Sequence, residues 1–86
     1  MSMDRAELKH ILETEVPLDE LVIDSGIYEF HQVGTKSLGV SYEHNNNNDK
    51  VYIVNVFSAD QYINVNGEYT NLYDCIPELL NVWNSI

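Results

Sequence analysis

One run constrains this chain more than any other: Lys50-Val51-Tyr52-Ile53-Val54-Asn55-Val56-Phe57, β-branched and aromatic almost throughout and free of Pro and Gly. Such residues suit a pleated, buried surface, and the same run left at a sheet edge would template aggregation. It is therefore expected to be a central strand, paired on both sides.

The flanking segments supply the pairing partners. Ile27–Val33 reads as a strand, Gly34-Thr35-Lys36 as a tight connection, and Ser37–Glu43 alternates apolar and polar residues as a strand with one buried face does. Asn45–Asn48 reads as a polar hairpin tip. Beyond the central run, Ser58-Ala59-Asp60 turns the chain into Gln61–Val65, and Asn66-Gly67 is a strong turn signal before a stub at Glu68-Tyr69. Two helices bracket these strands. Asp4 and Glu7 have capping-box spacing, and Leu8, Ile11 and Leu12 follow at helical intervals, giving a helix over 5–15. Pro17 ends it, Pro17-Leu18-Asp19-Glu20 suits a short helical turn, Leu21, Val22 and Ile23 return towards the core, and Asp24-Ser25-Gly26 is turn chemistry. Near the other end, Asn71 and Asp74 mark a start, and Leu72, Ile76, Leu79, Leu80 and Trp83 form an apolar stripe. Pro77 confines the regular helix to the residues from about Ile76 onward, after an entry turn up to Cys75. The sum is a two-layer α+β fold, one domain over 1–86. An N-terminal helix, an antiparallel β-meander of three to four strands and a C-terminal amphipathic helix packed on one sheet face are expected.

Loop lengths imply a register. A loop at Asn45–Asn48 sets Tyr42 opposite Val51, Val40 opposite Ile53 and Glu43 opposite Lys50. Three-residue loops at 34–36 and 58–60 set Phe30 beside Val40 and Ile53 beside Val65. The inner face then carries Tyr28, Phe30, Leu38, Val40, Tyr42, Val51, Ile53, Phe57, Ile63 and Val65, with Asn55 as a polar misfit. The opposite face, which two helices leave open, carries Glu29, His31, Tyr52, Val54, Val56, Tyr62 and Asn64.

Charge decides the class of partner. Asp and Glu number 14 against 4 Lys and Arg, a net charge of −10, and no basic residue follows Lys50. Such a surface repels phosphate backbones, which excludes direct nucleic-acid binding and favours either simple solubility or docking on a basic protein. Glu13, Glu15, Asp19, Glu20 and Asp24 crowd one segment and form the candidate acidic docking edge. The single cysteine, Cys75, allows no intrachain disulfide, and the opening Met-Ser-Met-Asp-Arg has no apolar signal core behind it. With no run near the ~20 apolar residues of a membrane span, a reducing, cytoplasmic setting is expected.

Catalytic patterns are weak. His10, His31 and His44 belong to no metal-binding spacing; His31 with Glu29 on a flat sheet lacks a cleft to tune a pKa; Cys75 has no base placed beside it and suits core packing. Asp19, Glu20 and Asp24 lack the ligand spacing of a calcium loop, and no Gly-rich phosphate loop occurs, so no metal, cofactor or catalytic residue is assigned. The expectation is a non-catalytic acidic protein that inhibits a basic, nucleic-acid-binding target, in the manner of DNA mimics, immunity proteins and phage anti-defence proteins. Glu13, Glu15, Asp19, Glu20 and Asp24 would steer it, and Tyr52, Val54, Tyr62 and Asn64 would make the contact. The alternative is a homodimer or larger assembly formed through the open face.

Overall fold

Each helical segment, the N-terminal helix directly and the C-terminal helix through a 3₁₀ entry turn, opens where a side chain satisfies a free N–H of a first turn. In the computed structural model, which describes residues 2–21, 26–65 and 67–86, Asp4 Oδ1 accepts from the Glu7 N–H at 2.8 Å and starts α1 (Arg5–Glu15). Leu8, Ile11 and Leu12 are its buried stripe, and Val16 turns to extended backbone ahead of Pro17. A 3₁₀ turn, Leu18–Glu20, follows. Asn71 Oδ1 likewise accepts from the Tyr73 N–H at 3.0 Å, opening a 3₁₀ turn, Leu72–Cys75, that runs into α2 (Ile76–Ser85) with Pro77 in its first turn. The expectations for Val22, Ile23, Asp24, Ser25 and Asn66 lie outside the described residues.

Between the helices, β1 (Tyr28–Val33), β2 (Lys36–His44), β3 (Lys50–Ser58) and β4 (Gln61–Asn64) form one antiparallel sheet in the order β1-β2-β3-β4. As its composition requires, β3 is paired on both sides. Along one side runs the whole of β2. Along the other run β4, then the Val65 N–H donating to the Val54 carbonyl at 2.8 Å, then Tyr69, which exchanges both backbone hydrogen bonds with Tyr52.

The register differs from the loop-length expectation, and the difference changes the meaning of β3. Val40 faces Val54, Tyr42 faces Tyr52 and His44 faces Lys50. The β2–β3 loop is five residues, Asn45–Asp49, because Asn45 Oδ1 accepts from the N–H groups of both Asn47 and Asp49 at 2.9 Å and Asn48 takes a left-handed φ of 64°. A one-residue slip exchanges the faces of a strand. Tyr52, Val54 and Val56 therefore point at the helices and are buried, whereas Val51, Ile53, Asn55 and Phe57 point away. Lys50 does not pair with Glu43; its Nζ lies 4.2 Å from the centre of the Tyr42 ring.

The connections at both ends of the sheet are also tighter than expected. Val33 closes directly on Lys36, Phe30 pairs with Leu38, and His31 with Gln32 oppose Ser37 alone, a β-bulge in which His31 adopts a φ of 52°. The bulge carries His31 to the helical side, where Glu15 Oε2 meets its Nδ1 at 3.1 Å and its ring lies 5.9 Å from that of Trp83. The β3–β4 turn is Ala59-Asp60, with Ala59 at a φ of 50°, so Asn55 faces Asn64 and Val56 faces Ile63.

The core lies between the sheet and the helices: Leu8, Ile11, Leu12, Leu79 and Trp83 against Phe30, Leu38, Val40, Tyr52, Val54, Val56 and Val65. Asn84 fastens the two helices by accepting the Met3 N–H at 2.9 Å and donating to the Met3 carbonyl at 3.1 Å. No described helix is long and apolar enough to cross a membrane.

Two substitutions test this geometry. Val54→Asp buries an unpaired charge and should cost about 4 kcal/mol or more, enough to unfold a domain of this size, whereas Tyr62→Asp should cost about 1 kcal/mol in urea unfolding. Comparable losses at the two positions would disprove the register. Ala59→Gly relieves a left-handed alanine and should raise stability by about 0.5–1 kcal/mol in the same measurement.

Candidate functional site

The side chains of β3 that the slip turns outward, with their neighbours on β2 and β4, make a surface with an apolar centre. Gly39 shapes it. A methyl group there would come within 2.6 Å of Phe57 Cε2 and 2.8 Å of Ile27 Cγ2, so the absent side chain lets both residues lie down on the sheet. Tyr62 meets Phe57 edge-on at 5.1 Å between ring centres and is 55% exposed; Ile27 is 40% exposed, and Ile53 and Phe57 are half-buried. Between Ile53 and Phe57 on the strand, Asn55 is fully buried: its Oδ1 accepts from Asn64 Nδ2 at 2.9 Å, and its Nδ2 has no hydrogen-bond partner among the described residues. The charged side chains at the outward strand positions are Glu29, whose Oε1 accepts from Ser37 Oγ at 3.4 Å, and Glu43.

Of the four residues expected to make the contact, Tyr62 and Asn64 lie on this surface, and Tyr52 and Val54 do not, because the register buries them. Ile27, Ile53 and Phe57, which pattern reasoning placed towards the core or left unused, stand in their place. Asn55 is the signal that could have found them: a polar residue at an assumed core position fits better on the opposite face of its strand.

The acidic segment forms a second, separate feature. Glu13 pairs with Lys9 at 3.9 Å in an exposed helical pair of little energetic weight, and Glu15 is engaged by His31. Asp19 and Glu20 are exposed, and with Leu12, Glu13, Val16, Pro17, Leu18 and Tyr73 they frame a hollow of about 340 Å³. Asp24 lies outside the described residues. Among the described residues, no carboxylate besides Glu13 and Glu15 has a basic or histidine nitrogen within 4 Å.

The four basic residues are all on the helical side of the molecule. Arg5 and Lys9 belong to α1. Lys36 Nζ donates to the Trp83 carbonyl at 2.9 Å and the Ile86 carbonyl at 3.1 Å while lying 4.4 Å from the centre of the Trp83 ring, so it caps α2. Lys50 sits over the tyrosine rings of the inner face.

Cys75 is packed into the core, and burial, with a smaller contribution from Asp74, pushes its thiol from an ordinary 9.0 up to about 12, so at neutral pH it is neither a thiolate nor accessible. Burial also raises Tyr69, helped by Cys75 and Glu78. No family model, curated protein or solved structure matches this chain.

Both raised groups are neutral when protonated, so their contribution to stability is complete below the pKa of the unfolded chain and lost above it. Unfolding free energy should therefore fall as pH rises from 9 towards 12, and Cys75→Ala should flatten that fall even where it lowers stability at neutral pH. Urea titrations across this range check it; an unchanged slope in the variant would remove Cys75 as the cause.

Proposed function

We propose that this chain is a non-catalytic acidic binder that docks on a basic protein in a reducing, cytoplasmic setting and occludes the surface with which that protein would hold nucleic acid. The observation that carries the reading is where the positive charge goes. With a net charge of −10, two of the four cations are engaged by the fold, Lys36 on the end of α2 and Lys50 on tyrosine rings, and Lys9 makes only an exposed pair with Glu13. The carboxylates are left to act on the surroundings. A field of one sign accelerates encounter with a partner of the opposite sign and repels competitors of its own, including nucleic acid. Asp19, Glu20 and Glu13, gathered at the end of α1, are the strongest local source of that steering.

The test is capture from a lysate of the source cell at low and high salt, followed by association kinetics with the purified partner. A basic protein released by salt is expected. Charge reversal at Glu13, Asp19 and Glu20 should then slow association about tenfold at low ionic strength and flatten its salt dependence, with little change in dissociation. An association rate indifferent to these reversals would eliminate the steering, and a stable homo-oligomer without a salt-sensitive partner would replace the reading with self-assembly.

A further inference from the structure

Resting on that reading, we infer that the outward face of the sheet is the desolvated centre of the contact. Its occupant is then a basic protein segment that sets an apolar or aromatic side chain on Ile53, Phe57 and Tyr62.

Charge is the first argument. The sheet divides the molecule electrically: Arg5, Lys9, Lys36 and Lys50 are all on the helical side, and the ionised groups at the outward strand positions are Glu29 and Glu43. An apolar centre rimmed by carboxylates with no basic residue among them complements a surface whose rim is Lys and Arg. A second copy of this chain would bring the same two glutamates, and a further −10 of net charge, against their equals.

The second argument is shape. Because Gly39 lets Phe57 and Ile27 lie flat, the centre is low and broad and is framed by Tyr62 and Asn64, the mixture of rigid aromatic and adaptable amide that anchors protein contacts.

The probe is a library of random peptides displayed on phage and selected on the full chain, with the strongest binder then synthesised and titrated by calorimetry. Selected sequences should combine Arg or Lys with an aromatic or branched apolar residue. Their binding should move the NMR signals of the Asn55 side-chain amide, Gly39 and Ile53 in the unmodified protein, and Phe57→Ser and Tyr62→Ser should each weaken it about tenfold or more. Circular dichroism confirms that the variants fold; the NMR map needs no variant. Basic peptides that ignore both substitutions but weaken with Asp19→Asn and Glu20→Asn would overturn the face and leave the charge-based function standing. Binders that need Phe57 and Tyr62 but carry no basic residue would overturn the basic occupant and the function it rests on together. A dimer of the protein by sedimentation that Phe57→Ser dissolves would assign the face to a second copy and overturn the inference, as would a library yielding no binder dependent on these residues.

Discussion

The demand that β3 makes on its neighbours governs the rest of this molecule. Nine residues of strand, apolar on both faces, present backbone donors and acceptors along both edges, and each buried group left unpaired would cost as much as a lost hydrogen bond. One edge is met by a strand of equal length, β2. The other is met piecemeal, by the short β4, by Val65 and by Tyr69, so the chain needs the irregular path after β4 as much as it needs β4 itself. With β3 fixed, its even-numbered side chains supply the floor on which both helices rest, and its odd-numbered ones make the centre of the outward face.

Where polar and apolar residues alternate, the sequence is a sufficient guide. β1, β2 and β4 carry clear alternation, and apart from the bulge at His31 their faces are as the pattern requires: Phe30, Leu38 and Val40 inward, with Val65 beyond β4, and Tyr62 and Asn64 outward. The helix boundaries, the caps at Asp4 and Asn71 and the entry turn before Ile76 follow from local chemistry that no tertiary contact overrides. β3 is different because Val51, Ile53 and Phe57 are as apolar as Tyr52, Val54 and Val56, so hydrophobicity cannot choose between its faces and only the loop can. The side chain of Asn45 sets that loop by bonding two later amides, a preference that does not announce its length in a run of four asparagines. The bulge at His31 is similarly silent in the sequence, since no glycine marks the left-handed residue. Half of the expected contact residues were lost to this one ambiguity, while the acidic segment, being a matter of composition, was untouched by it.

The two layers divide their labour. The helical side carries the cations, and two of them do structural work there: Lys36 ends a helix whose last turn contains no basic residue, and Lys50 covers tyrosine rings. The sheet's far side is left without a positive charge, with Gly39, Ser37 and Ser41 keeping its middle low. An electrical asymmetry of this kind arises in part from where Lys36 and Lys50 are needed for packing, without any residue being set aside to create it.

The clasp between Met3 and Asn84 spans 81 positions of sequence. The core residues Leu8, Ile11 and Leu12 of α1 share their cluster with Leu79 and Trp83 of α2, with all four strands lying between them in sequence. Closing so long a loop costs entropy that only later contacts return, so pairing of the strands, which brings the two helices to the same side, makes their meeting a short-range event. The helical layer is thus the part of the molecule whose formation depends most on the sheet already being in place.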